Sequence, residues 1–234
     1  MRNLVIAIDG PAASGKSTTA KLTADNLGYL YVDTGAMYRA MTLKVLEHGI
    51  DPNDKDKVAQ LAQSTEIRFD CKTPAVKVIL DSRDVTKSIR SREISNAVSA
   101  VSAIKEVREV MVREQREIGK NGGVVCEGRD IGTVVFPGAD LKIFMVADLD
   151  ERALRRQREF AQSNTRIDLD TLQKEIIRRD DWDSHRDISP LRKADEAILL
   201  DTTHLSIDEQ VDFIVERARK LIEQRKRLAE SIGR

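Results

Sequence analysis

Five apolar residues, Leu4-Val5-Ile6-Ala7-Ile8, run straight into Asp9-Gly10-Pro11-Ala12-Ala13-Ser14-Gly15-Lys16-Ser17-Thr18, and a helical pattern begins at Lys16. A β-rich run, a glycine-punctuated turn and a helix in immediate succession read as the opening of a βα unit over a parallel sheet. Gly10 to Ser17 also fits the pattern Gly-x-x-x-x-Gly-Lys-Ser/Thr, in the strand-to-helix setting that gives the pattern meaning. Its physics is that of anion binding. Small side chains let backbone N–H groups curl around a phosphate, and the helix N-terminus adds a positive dipole end at the same place. Lys16 can neutralise β- and γ-phosphate oxygens, the Ser17 hydroxyl can ligate Mg²⁺, and Gly10, Pro11, Ala12, Ala13, Ser14, Gly15 and Thr18 complete the loop expected around ATP. Guanine specificity has no support, because no Asn-Lys-x-Asp stretch occurs. The acceptor stays open, since ATPases, switches and small-molecule kinases all share such a loop.

Helical periodicity continues to Leu27, with Gly28 as its stop. A second strand is expected over Tyr29 to Val32, then the punctuation Asp33-Thr34-Gly35 and a helix from about Ala36 to Glu47. The middle of the chain changes character: Ile67, Phe69 and Cys71, then Val76, Val78 and Leu80, alternate with polar residues around the turn Lys72-Thr73-Pro74. Short half-buried antiparallel strands fit that alternation, as a β-rich insertion between α/β segments. Ser91 to Arg116 reads as helix again, and strands follow in Gly122 to Asp130, in Leu141 to Ala147 and in Ala197 to Asp201. Five strands in α/β alternation imply one parallel core sheet flanked by helices. A very charged helical stretch fills 150–186, and the last helix opens where Ser206 and Glu209 have capping-box spacing. Glu223 to Arg234 is expected as a solvated or frayed end.

The 234 residues suffice for one sizeable core, and 41% apolar content excludes a disordered chain. Lys plus Arg equal Asp plus Glu at 39 each, so the whole molecule has no pull toward nucleic acid or an anionic membrane, and anion binding must be local. Apolar runs are too short for a membrane span and no secretory leader is recognisable. Cys71 and Cys126, without paired-cysteine spacing, read as buried thiols of a cytoplasmic protein, and a monomer is the default.

Arginines mark the second half of a site. Arg39 follows Asp33 to Tyr38, Arg108 sits in a helical stretch, Arg129-Asp130 ends a strand, and Arg179, Asp183 and Arg186 share Arg178 to Arg186. Ligands of open α/β sheets bind off the carboxyl ends of the strands, which brings Asp33 to Tyr38 and Glu127 to Gly132 to the crevice of the phosphate loop. In this order, DGPAASGKST, DTGAMYRA, GRDIGTVVFP and RRDDWDSHRDISPL resemble the motifs of the bacterial-type cytidylate kinases over essentially the whole chain. That resemblance implies transfer of phosphate from ATP to CMP or dCMP, on a P-loop core (1–36, 108–150 and 187–234). It further implies a monophosphate-binding region (37–107) enlarged by the β-rich insertion near 63–95, and a short lid with a substrate-contacting segment (151–186).

The resemblance also implies roles. Arg39, Arg129 and Arg179 would grip the acceptor phosphate, Asp130 with Ser99 and Arg108 would read the base edge, and Asp183 and Arg186 would meet the sugar. Thr34 and Tyr38 would line that pocket, and Arg155 or Arg156 would close over ATP. Glu127 stands where the family commonly has Asp, and keeps a carboxylate for a Mg²⁺-bound water. A phosphate acceptor is already ionised near neutral pH, so no base is needed, and His48, His185 and His204 lie in unrelated settings. Two other readings remain: a P-loop kinase of another acceptor, with Asp33 as base for an alcohol, and a nucleotide-dependent switch without transferase activity.

Overall fold

The computed structural model describes residues 2–70, 76–161 and 165–232. Strands β1 (Val5–Asp9), β2 (Leu30–Asp33), β6 (Val124–Gly128), β7 (Leu141–Val146) and β8 (Ile198–Asp201) form the expected five-stranded sheet, in the order β2-β6-β1-β7-β8. Every neighbouring pair is parallel. β1 is central, and all of its residues are buried because both faces are covered. On one face Leu4, Ile6 and Ile8 pack with Ala20 and Ala24 of α1 (Lys16–Leu27) and with Ile214 and Ala218 of α8 (Ile207–Ile232). On the other, Ala7 meets Val32, Cys126, Ile131 and Val135, backed by Val112 and Ile118 of α5 (Lys105–Gly119). The Cys126 thiol is free and buried there, while Cys71 lies outside the described residues.

A second core sits beside the sheet. Helices α2 (Thr34–Glu47), α3 (Lys55–Gln63) and α4 (Arg92–Ala103) enclose Met37, Met41, Val58, Val98 and Val101 with Ile67, Val78 and Leu80. The last three come from the insertion, where β3 (Ile67–Asp70), β4 (Lys77–Leu80) and β5 (Arg83–Asp84) make a three-stranded antiparallel sheet. A third, smaller cluster of Ala153, Leu172 and Ile176 joins α6 (Leu149–Ala161) to α7 (Leu169–His185).

Three boundaries depart from the sequence reading. Thr34 rather than Ala36 opens α2, because the Asp33 carboxylate caps it by accepting the Ala36 N–H at 2.9 Å. The helical stretch from Ser91 breaks at Ile104, which is extended (φ −74°, ψ 127°) and buried in the second core; burying that side chain turns the chain between α4 and α5. Finally, the end expected from Glu223 as solvated or frayed is solvated but still helical: α8 runs to Ile232, with 223–231 largely exposed.

What ties the extension of α8 to the sheet is Asp140, just before β7. Its buried carboxylate accepts the Val5 N–H at 2.7 Å, pairs with Arg225 of α8, and reaches Arg2 at 3.4 Å. Asp140→Ala therefore strands the first N–H of β1 and should lower the unfolding free energy in urea by about 2–3 kcal/mol. Arg225→Ala, removing a partner with 36% of its side chain exposed, should cost less than about 1 kcal/mol. The reverse ranking would mean that the α8 contact, not the anchorage of β1, is what matters.

Candidate active site

Because the sheet is parallel, the carboxyl ends of β1, β2 and β6 open on one side, and a cavity of about 1030 Å³ lies there. β1 leads into the phosphate loop at Gly10. That residue has φ +152°, and a Cβ on it would stand 2.1 Å from the Met145 carbonyl oxygen, so only glycine fits. Gly15 (φ +95°) precedes α1, whose first turn receives no side-chain cap and leaves its N–H groups available to an anion. Lys16 Nζ lies back along the loop, donating to Pro11 O at 2.5 Å and to Ser14 Oγ at 3.1 Å. Thr202, at the end of β8, donates to Ser14 O at 3.0 Å and accepts from Arg155, which also reaches Thr202 O at 2.6 Å. Gln210 of α8 accepts from Thr19 of α1 at 2.7 Å. Asp9 accepts the Ile131 and Gly132 N–H groups, both at 2.7 Å, and so fixes the turn after β6 against the start of the loop.

Across the cavity the arginines come paired. Arg108 donates to Asp130, Arg186 lies 3.6 Å from the other Asp130 oxygen, and the Arg108 guanidinium sits 5.3 Å from the Tyr38 ring centre. Arg129 Nε donates to Asp183 at 2.8 Å, and Arg39 pairs with Asp33 at 2.7 Å. Arg179 is half-buried, with its Nε enclosed and lacking any acceptor. Burial, with the charges of Arg129, Arg39 and Arg156 around it, pushes Arg179 down to about 10. Lys16 is pushed down to about 7 by burial, then by Arg129 and Arg179. Burial alone would lower Arg129 as well, but Asp183 outweighs it and holds that guanidinium above its ordinary value. The floor of the cavity is thus short of negative charge, a condition an incoming phosphate relieves.

Ala12 to Thr18, Thr34, Tyr38, Arg39, Ser99, Arg108, Glu127, Arg129, Asp130, Arg155, Arg156, Arg179, Asp183 and Arg186 all line this one cavity. Gly10 and Pro11 do not; their part is the backbone path of the loop. Thr34 is buried with its hydroxyl bound to Glu127 O at 2.7 Å. Arg156 pairs with Glu159 and lies over the Phe160 ring, 4.6 Å from its centre. None of the three histidines lines the cavity. Asp33 has both oxygens engaged, by Ala36 N and Arg39, which disfavours it as a base. Thr202, Gln210, Arg152 and Asp180 receive no site role from the sequence, since no local pattern points to a hydrogen bond made across more than a hundred residues.

The family model for cytidylate kinase matches residues 6–220. The chain belongs to the cytidylate kinase family. Among curated relatives, the cytidylate kinase of Leuconostoc mesenteroides is 53% identical over 90% of this chain and 94% of its own length. That of Pediococcus pentosaceus is 50% identical over 90% and 93%, and that of Bacillus subtilis 48% over 92% and 96%.

For a cytidylate kinase family member, the oxygen donors beside Lys16 are the place to test for a divalent cation. Ser17 and Glu127 line the cavity together; the Glu127 carboxylate accepts from Tyr31 at 2.8 Å, and Asp33 is its charged neighbour. Burial and Asp33 raise Glu127 above the usual carboxylate range. No group of three or more acidic, His or Cys side chains is placed to hold a metal ion among the described residues. A hydroxyl and a carboxylate suit Mg²⁺, which completes its shell with water and substrate phosphates rather than a protein cage.

The state of Lys16 generates a prediction. A phosphate against Nζ restores the charged form, so between pH 7 and the ordinary lysine range ADP binding takes up a proton. Calorimetry at pH 8.5 in chelator, with buffers of different ionisation enthalpy, should show uptake approaching one proton, abolished by Lys16→Arg. Equal heats in all buffers for the native protein would contradict it.

Proposed function

We propose that this protein transfers the γ-phosphoryl group of ATP to the 5′-phosphate of CMP or dCMP, giving CDP or dCDP. The observation that supports this best is Arg179, half-buried with an enclosed, unpartnered Nε beside Arg129 and within the field of Lys16. Such an arrangement suits two phosphate groups brought together from opposite sides.

An ionised phosphate oxygen attacks without a base, so the work lies in aligning two anions and neutralising charge on the transferring group. In this reading the phosphate loop and Lys16 hold the donor, with Arg155 and Arg156 above it. Arg39, Arg129 and Arg179 hold the acceptor phosphate, a task that suits the planar guanidinium fork. Ser17 and Glu127, the latter through water, would hold Mg²⁺, which would add charge neutralisation at the donor phosphates. Asp130 faces the base: a carboxylate accepts from the cytosine amino group and repels the uracil carbonyl. Arg108 and Arg186 steady that carboxylate, with Ser99 and Tyr38 along the pocket wall. Asp183 and Arg186 stand by the sugar. The reading needs nucleotides alone as partners and is compatible with a cytoplasmic monomer; no described helix is long and apolar enough to cross a membrane.

Asp130→Asn should reduce kcat/KM for CMP by about 100-fold or more and for UMP by less than about 10-fold. Comparable losses for the two substrates would remove Asp130 from base recognition. ADP release from ATP should depend on CMP or dCMP, with little response to UMP, AMP or shikimate. Dependence on another acceptor would favour a different kinase, and no acceptor dependence a nucleotide switch.

A further inference from the structure

The peptide of Ala12, two residues into the phosphate loop, is gripped from both sides by helices far along the chain. Its N–H donates to Asp180 Oδ1 of α7 at 3.3 Å, and its carbonyl accepts from Arg152 NH1 of α6 at 3.2 Å. The same Arg152 nitrogen donates to Asp180 Oδ2 at 2.5 Å, closing a ring of three contacts. Only 10% of the Arg152 side chain and 21% of the Asp180 side chain are exposed, so water competes weakly for these groups. Both helices are braced behind the ring by the cluster of Ala153, Leu172 and Ile176.

The neighbours of this ring give it significance. Ala13 has φ +57°, a left-handed conformation that alanine resists and that persists only where its surroundings impose it. On the helix side, Asp180 directly follows Arg179, the half-buried arginine that lines the cavity.

We propose that Asp180 and Arg152 are positioning residues for phosphoryl transfer, clamping the Ala12 peptide so that the phosphate loop keeps its strained form and Arg179 is held over the same cavity. One clamp thereby sets the donor cradle and an acceptor-side cation in a single frame. The inference rests on the phosphoryl-transfer reading, but its first readout, ADP affinity, needs no acceptor.

The test is a double-mutant cycle on ADP affinity, with Asp180→Ala, Ala13→Gly and both together. If the clamp supports the left-handed alanine, Asp180→Ala should weaken ADP by about 10-fold on its own but by only about 2-fold in the Ala13→Gly background, where that conformation carries no penalty. At saturating ATP and CMP, Asp180→Ala should lower kcat in both backgrounds, because Arg179 shifts whatever residue stands at 13. No loss of ADP affinity, or equal losses in the two backgrounds, would overturn the clamp on the loop; an unchanged kcat would overturn its hold on Arg179. If Asp180→Ala does not fold, Asp180→Asn runs the same cycle: it keeps an acceptor for the Ala12 N–H, removes the charge facing Arg152, and should give smaller losses of the same pattern. A coupled ADP cycle in a protein that ignores CMP would uphold the clamp and reject the acceptor assignment.

Discussion

Lys16, Arg39, Arg108, Arg129, Arg179 and Arg186 surround one cavity, and the rest of the structure is arranged around keeping that much positive charge in place. Like charges at such separations repel strongly where water is scarce, and burial penalises each one further. Three carboxylates offset most of it: Asp33 on Arg39, Asp130 on Arg108 and Arg186, Asp183 on Arg129. Each acid comes from a different element, so the balance exists only in the folded chain. Lys16 and Arg179 are the cations whose surroundings oppose their charge most, and both line the cavity. A site of this kind is primed for anions and has little use for a proton acceptor.

That arrangement requires the two halves of the cavity to share a rigid frame. The parallel sheet supplies it, since β1 pairs directly with β6 and the phosphate loop and the Arg129-Asp130 corner leave adjacent strand ends. Asp9 then stitches the two departures together through the Ile131 and Gly132 N–H groups. Deep burial raises the Asp9 carboxyl to about 6, although these two hydrogen bonds pull the other way. Thr202 brings β8 into the same frame through Ser14.

Much of this was legible in the chain. Helix α1 appears where its pattern and Gly28 place it, and the antiparallel strands follow the alternation around Phe69 and Val78. The capping box at the start of α8 forms as its spacing implies, with Ser206 and Glu209 bonded in both directions. These features are local: the residues that make the contact are a turn apart or a strand apart. Where the reading missed, the deciding contact was distant. The break at Ile104 comes from burial against the second core, and the ordered reach of α8 is anchored through Arg225 to Asp140. The candidate site divides the same way, for the resemblance of its motifs supplied Asp130 and Arg179, whereas Thr202, Gln210 and Arg152 lie outside those motifs and Asp180 lies in one without a role of its own there.

The sequence by itself determined the βα opening, the anion-binding loop, the insertion and the family, because hydrophobic periodicity, glycine placement and capping are properties of neighbouring residues. Tertiary structure alone decided which carboxylate neutralises Arg108, Arg186 and Arg129, and that the loop residue Ala12 is held by two helices far along the chain. The reason is that charge compensation and backbone hydrogen bonding act over a few ångströms of space, and only folding brings residues separated by 22 positions, as Arg108 and Asp130 are, or by 168, as Ala12 and Asp180 are, within that distance.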